Sequence, residues 1–428
     1  MFEMNILKYG SRGAEVELLQ LALGRAGFGP LDTDGAFGRD TDAALRAFQK
    51  SAGLPPDGVA GRATHRALTP WYTGYAEHTV KKGDTLWKIA RMHGSTLGAV
   101  ETANPGADPL QLRAGQKIVV PLPFDVVPTT IRWCSALVAY CMRGIAARYP
   151  FVTELEYGRS VMGKRLGCIA LGGGPRTLFY NAEHHANEWI TTPVLLRFAE
   201  ELARAYAFGG SVYTVSAAEI FEKARIFIAP AVNPDGMDLV TGALSSGEYY
   251  DQSRRISADF PAIPFPSGWK ANIAGTDANL QYPAGWEEAK KLKYAQGYDR
   301  PAPRDFVGRA PLSAPESRAL SQLTGTLSPA LTLSYHTQGN TIYWKFLDFD
   351  PPGARYYGDC FAAASGYALE TTPYASGFAG YKDWFIQDYN RPGYTIECGL
   401  GESPLPLSQF DEIYRANLGI LTLAAMGC

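Results

Sequence analysis

The chain has 428 residues, which suggests roughly two to four domains at about 100–200 residues each. Its 46% hydrophobic and 19% charged content excludes wholesale disorder, and a net charge of −2 leaves no global field to hold nucleic-acid phosphates. No run approaches the ~18 consecutive apolar residues of a membrane-spanning helix, which argues against membrane insertion.

The opening segment, Met1 to Gly10, does not place a basic region, an apolar run and a small-residue cleavage site in order, so no signal peptide is read there. The six cysteines (Cys134, Cys141, Cys168, Cys360, Cys398, Cys428) form no C-x-x-C pair, which argues against a cysteine zinc site and for free thiols. Both features point to a cytoplasmic start.

Residues 7–69 read as helical. Val16, Leu19, Leu23 and Ala26 recur at helical spacing, and so do Ala44, Leu45, Phe48 and Ala52, with Asp40 as the expected N-cap. The run Asp32-Thr-Asp-Gly35-Ala-Phe37-Gly38 makes a tight loop between them, and a short third helix is expected from Gly61 to Leu68. With Gly10 to Gln20, Asp34-Gly35-x-Phe37-Gly38, Ala47-Phe48-Gln49 and Leu54-x-x-Asp57-Gly58, this segment resembles the small three-helix peptidoglycan-binding module.

Residues 77–123 open with His78-Thr-Val-Lys-Lys-Gly83-Asp84-Thr85-Leu86-Trp87, a short strand running through a turn into a helix that starts near Thr85. A second helix is expected over Thr96–Thr102, and Leu112-x-Ala114-Gly115-Gln116-x-Ile118-Val-Val-Pro121 closes with a strand. The order strand–helix–helix–strand with these residues closely resembles a LysM module, which implies binding to peptidoglycan glycan chains.

Residues 125–428 alternate β-rich runs (Thr177–Tyr180, Ile226–Ala229, Leu331–Ser334) with helical patterns such as Trp189–Ala207, as in one α/β domain with a mixed sheet. The segment Asn181-Ala-Glu-His184-His185-Ala-Asn-Glu188-Trp189 lies where a strand ends and a helix begins, a common place for ligands in such sheets. His185 and Glu188, at i and i+3, can turn to one side and offer two good zinc ligands. His336 follows another strand in Ser334-Tyr335-His336-Thr337 and is the natural third ligand; the other reading is a satisfied core histidine. Glu397, inside the apolar run Tyr394-Thr-Ile-Glu397-Cys, either faces a water at the metal or pairs with a cation, because a buried unpaired carboxylate is costly.

The same stretch of chain also holds Gly158-Arg-Ser-x-x-Gly163-Lys-Arg165, Asn233-Pro-Asp-Gly236, Trp269-Lys270-Ala-Asn272 and Gly275-x-Asp277-x-Asn279. Together with the histidine and glutamate segments, they resemble the zinc carboxypeptidase family, of the carboxypeptidase A type. That resemblance implies an α/β/α fold with an eight-stranded mixed sheet and one Zn²⁺ per catalytic domain, held by His185, Glu188 and His336. It also implies Glu397 as general base, Lys270 as the cation that polarises the scissile carbonyl, Asp277 as the carboxylate orienting His185, and Asn279 and Tyr374 on the substrate. Lysine in place of the family's arginine keeps the charge but not the bidentate fork.

One departure bears on substrate. The exopeptidases of this family follow the equivalent of Asn279 with an arginine for the substrate's terminal carboxylate, whereas this chain has Leu280. The stretch Asp277-x-Asn279-x-Gln281-Tyr-Pro-Ala-Gly-Trp286 and His185-Ala-Asn-Glu-Trp189 instead resemble the γ-D-glutamyl-diamino acid endopeptidases of bacterial cell-wall peptides. This implies hydrolysis of the γ-D-glutamyl amide in peptidoglycan stem peptides, often to diaminopimelate, by an enzyme that either meets wall fragments in the cytoplasm or is released to act at the cell wall. The alternatives are a metallocarboxypeptidase that removes C-terminal residues, a zinc deacylase of small molecules, and a non-catalytic wall-binding protein. With leucine at 280, Lys270 and Lys382 (in Gly380-Tyr-Lys382-Asp-Trp384) are expected to pair with the substrate's carboxylates.

Overall fold

The computed structural model describes residues 4–428, so the first three residues of the segment read for a leader lie outside the described residues. The chain divides into two compact units, one ending at Glu154 and one spanning Leu155–Cys428. Among the described residues no helix is long and apolar enough to cross a membrane.

The first unit begins with helices α1 (Ala14–Arg25), α2 (Arg39–Ser51) and α3 (Arg62–Thr73). Val16, Leu19, Leu23, Leu45 and Phe48 point inward, as their spacing requires. Asp40 is not the N-cap of α2: Gly38 is, with no capping side chain, and Asp40 sits in the first turn, where a carboxylate complements the helix dipole. Helix α3 runs past Leu68 and stops at the left-handed Gly74.

The Gln and Asp-Gly signals are one device used twice. Gln20 donates to Asp34 Oδ1 at 2.8 Å and accepts from Gly35 N at 3.0 Å; Gln49 donates to Asp57 Oδ1 at 2.9 Å and accepts from Gly58 N at 3.0 Å. Gly35 and Gly58 have φ of +70° and +71°, and a Cβ on Gly58 would stand 2.2 Å from Asp42 Oδ1, so both positions require glycine.

Strands β1 (Tyr75–Thr79) and β2 (Lys117–Pro121) pair antiparallel, with α4 (Leu86–Met92) and α5 (Leu97–Ala103) between them in sequence. Thr85 and Thr96 cap these helices by accepting from Lys88 N and Ala99 N, each at 3.2 Å. Val80, Leu86, Ile89, Val100, Ile118 and Val120 form the small core. Helix α6 (Ser135–Arg148) completes the first unit: Tyr140 stacks on Tyr72 at 5.0 Å, and Arg148 Nε donates to Gly74 O at 3.0 Å. Because of this packing, the compact unit extends beyond residue 125, where the catalytic segment was expected to begin.

The second unit is built on an eight-stranded mixed sheet. Its strands are β3 (Thr153–Arg159), β4 (Arg165–Leu171), β5 (Arg176–Ala182), β8 (Ala224–Ala229), β9 (Leu331–His336), β10 (Thr341–Tyr343), β11 (Ala368–Glu370) and β12 (Gly393–Glu397). Between β5 and β8 stands a separate two-stranded ribbon, β6 (Ser211–Val212) with β7 (Val215–Ser216). The sheet order is β11-β10-β12-β9-β5-β8-β4-β3, antiparallel at β10/β12 and β4/β8 and parallel at β12/β9, β9/β5 and β5/β8.

Helices cover both faces: α7 (Thr191–Phe208), α8 (Ala217–Lys223), α9 (Pro234–Thr241), α10 (Glu248–Ala258), α11 (Trp286–Ala295), α12 (Pro315–Leu327), α13 (Ala354–Ser365), α14 (Tyr381–Tyr389) and α15 (Phe410–Met426). Strand β5 shows the layering: Tyr180 hydrogen-bonds Leu421 O of α15, while the next side chain back, Phe179, meets Tyr381 of α14 on the other face. The three-layer α/β/α arrangement is the expected one. Since β5, β9 and β12 are parallel neighbours, their C-terminal ends open on one edge of the sheet, and everything that follows is built there.

Candidate metal centre and cleft

The first ligand pair grows out of the end of β5. Glu183 turns the chain with a left-handed φ of 61°, and His185 then stands extended before a single 3₁₀ turn, Ala186–Glu188. That turn separates the strand from α7, which starts at Thr191 rather than at the expected Trp189. The tight turn brings Glu188 back beneath His185, with Oε1 2.9 Å from His185 Nδ1. His336, the last residue of β9, supplies the third group: its Nδ1 lies 2.9 Å from Glu188 Oε2 and 3.3 Å from His185 Nδ1.

The three candidate donor atoms lie within 4.8 Å of one another. Two imidazole nitrogens and a carboxylate converging in a buried space make a donor set suited to zinc. Asp277 orients the first of them, with Oδ1 3.2 Å from His185 Nε2. A proton held between these two atoms leaves the lone pair of Nδ1 facing the cluster.

The electrostatics fit a cation. Burial opposes an imidazolium at His185, but the carboxylates of Glu188 and Asp277 outweigh it and lift its pKa to about 9. Burial likewise pushes the Asp277 carboxyl up, but His185 and the N–H of Asp305 pull it well below the usual carboxylate range. Glu397, on β12, is the register partner of His336. Burial and the nearby Glu188 raise its pKa, while His336, Lys270 and His185 hold it back.

Lys270 arrives on a loop that is tied to the metal segment. Its carbonyl accepts from Ala186 N at 3.0 Å, and its Nζ stands 2.8 Å from Glu188 Oε1. The Asn233-Pro-Asp-Gly motif holds the two segments together: Asn233 Nδ2 is 3.2 Å from His184 O and 3.0 Å from Ala271 O. The Gly163-Lys164 motif supports that bracket in turn, with Lys164 Nζ 2.6 Å from Asp238 and 3.3 Å from Asp235.

A cleft of about 220 Å³ opens over this group, lined by His185, Lys270, Asp277, Asn279, Leu280, His336, Lys382 and Glu397 among others. Eight of the nine site residues expected from sequence belong to this constellation: seven of those lining residues, with Leu280 set aside, and Glu188, which is buried beneath them. Asn279 uses its side-chain oxygen to accept from Tyr381 N at 3.1 Å, so it also anchors the start of α14.

Lys382 lies at the cleft, but its ammonium is taken up: it is 3% exposed, 2.7 Å from Lys345 O, 2.9 Å from Thr372 Oγ1 and 2.5 Å from Asp383 Oδ1. Tyr374 is the residue that stands apart. It is 62% exposed, with its hydroxyl 3.0 Å from Glu288 Oε1, and it does not line the cleft.

Sequence reasoning missed Lys293, Arg304 and Asp305, which line the same cleft. Asp305 N donates to Asp277 Oδ2 at 3.1 Å, and its carboxylate lies between Lys293 and Arg304. No motif marks these residues: Lys293 comes from the last turn of α11, and Arg304 and Asp305 from the irregular segment that follows it.

Comparison with known proteins agrees with this geometry. A family model described as zinc carboxypeptidase matches residues 138–419, one for a putative peptidoglycan binding domain matches 12–68, and one for a LysM domain matches 78–121. A γ-D-glutamyl-L-diamino acid endopeptidase 1 from Lysinibacillus sphaericus is 39% identical over 279 residues, 65% of this chain and 68% of that protein. The protein YqgT of Bacillus subtilis is 38% identical over 276 residues, 64% of this chain and 72% of that one. Among solved structures, the carboxypeptidase A of Helicoverpa armigera aligns with a TM-score of 0.53 at 18% identity, covering 83% of this chain and 97% of that one, a likeness of fold.

Proposed function

This chain belongs to the zinc carboxypeptidase family, and we propose that it hydrolyses the amide between the γ-carboxyl of D-glutamate and a diamino acid in peptidoglycan stem peptides. The observation that carries the proposal is Leu280, which lines the cleft where a C-terminal trimming enzyme of this family needs a cation for the terminal carboxylate. The relationship to the Lysinibacillus endopeptidase and the two wall-binding domain matches support the same substrate. We assign residues 7–69 and 77–123 to wall binding and 125–428 to catalysis; the family match beginning at residue 138, inside α6, supports the last assignment.

His185, Glu188 and His336 would hold the zinc, whose Lewis acidity lowers the pKa of a water to about 7 and polarises a carbonyl. Glu397, at the same sheet edge as His336, takes the proton of the attacking water and passes it to the leaving amine. Lys270 brings a positive charge to the face where the oxyanion develops, a contribution of the kind worth about 10²–10³ in rate. Asp277 fixes the tautomer of His185, and Asn279 holds the floor of the cleft against α14. The two wall-binding modules raise the local concentration of substrate through linkage rather than joining the chemistry.

Mass spectrometry of muropeptides after incubation tests the proposal. New fragments that begin at the diamino acid are expected, and loss of the last residue alone would make the protein a carboxypeptidase instead. Excess free glycan fragments should compete with sacculus binding by the full chain while leaving turnover of soluble stem peptides unchanged.

A further inference from the structure

We propose that Arg304 binds the substrate carboxylate beside the scissile amide, the task that Leu280 cannot perform. The inference rests on the proposed substrate and adds where its acid is held.

Lys270, Lys293, Arg304 and Lys382 are the cations lining the cleft. Lys270 faces Glu188, and Lys382 is held by its three partners. The Lys293 side chain is 12% exposed and lies 2.5 Å from Asp305 Oδ1. Arg304 differs: its side chain is 42% exposed, and its Nε lies 2.6 Å from Asp305 Oδ2. A guanidinium has five N–H donors, so this pairing leaves donors for a bidentate grip on a second carboxylate. Two cations share the single Asp305 carboxylate, in a cleft that also holds His185, Asp277 and Glu397.

The backbone at Asp305 fixes where Arg304 sits. Its φ of 65° is left-handed, a conformation that persists in a non-glycine residue where surrounding bonds impose it. Here the N–H of Asp305 is directed at Asp277 Oδ2, and Asp277 in turn holds His185. Two hydrogen bonds thus register Arg304 to a metal ligand. A D-glutamate linked through its γ-carboxyl keeps its α-carboxylate close to the scissile bond, and amidation of that group to isoglutamine removes the charge. The recognised class is therefore a γ-D-glutamyl peptide with a free α-carboxylate.

The test compares wild type, Arg304→Ala and Arg304→Lys on L-Ala-γ-D-Glu-diaminopimelate and on its α-amide. Arg304→Ala should lower kcat/KM for the acid by roughly 30-fold or more, mainly through KM, and hardly change the amide. Arg304→Lys should restore part of the loss. Calorimetric titration with L-Ala-D-Glu and its α-amide gives a second readout, and acid affinity alone should fall in Arg304→Ala at unchanged zinc content. Equal losses on acid and amide, no loss on either, or a wild type indifferent to the amide would overturn the assignment. A wild type that cuts neither peptide would defeat the proposed function, and the titration would then decide on Arg304 by itself.

Discussion

His336 and Glu397 face each other as register partners on the parallel strands β9 and β12. The pairing places a zinc-type ligand and a carboxylate of raised pKa side by side at the sheet edge, so backbone hydrogen bonds rather than loop packing set their spacing. Glu397→Gln keeps the shape and removes the proposed base. It should lower kcat by about 10²–10⁴ while zinc content stays at that of the wild type. A variant that keeps most of its turnover would place the base elsewhere.

Asp277→Asn should act on the metal. Losing the carboxylate behind His185 should weaken zinc binding about 10–100-fold, read by competition with a chromogenic chelator. Unchanged affinity would mean that Asp277 serves only the backbone, accepting from Asn279 N at 3.0 Å and from Asp305 N at 3.1 Å.

Lys382→Met separates two roles. The ammonium and its Asp383 partner are both buried, so removing one strands the other, at a cost of about 3–5 kcal/mol in folding stability. Urea denaturation should show that loss, and any fall in kcat/KM should be equal on acid and amide peptides. A loss confined to the acid would return substrate recognition to Lys382.

Stability should also depend on pH through Glu316. This side chain accepts from Val161 N and Asn272 Nδ2, each at 3.0 Å, and braces the loop that carries Lys270. Burial pushes its carboxyl from 4.5 up to about 7, only partly countered by those bonds. The folded state therefore holds the proton more tightly than the unfolded chain, and the contribution of Glu316 falls as pH rises from 4.5 to about 7, then levels off. The change amounts to about 3 kcal/mol. Urea titrations across this range should show a shallower fall for Glu316→Ala than for the wild type; parallel curves would remove Glu316 as the source.

Much of this centre was legible in the sequence because its parts lie at strand ends or within short spacings. His185 and Glu188 are three residues apart, His336 and Glu397 end apolar strands, and the Gln and Asp-Gly pairs of the first module mark turns that need glycine. Asp305 and Arg304 were not legible, since the bond from Asp305 N to Asp277 Oδ2 joins residues 28 apart, across helix α11 and the irregular chain on either side of it. The partners of Lys382 were hidden for a similar reason: Lys345 and Thr372 come from distant segments, and no local pattern shows that a lysine beside an Asp-Trp pair is buried. Helix α6 packs with the first compact unit, which runs to Glu154, while the zinc carboxypeptidase match begins within it at residue 138, so compactness and family match divide the chain at different places.

Hydrolysis of L-Ala-γ-D-Glu-diaminopimelate-D-Ala in H₂¹⁸O by the zinc-loaded protein tests the central claim most directly. One ¹⁸O atom is expected in the γ-carboxyl of the released L-Ala-D-Glu, with diaminopimelyl-D-Ala as the other product. Label in the diaminopimelate carboxyl, with free D-Ala as the small product, would contradict it.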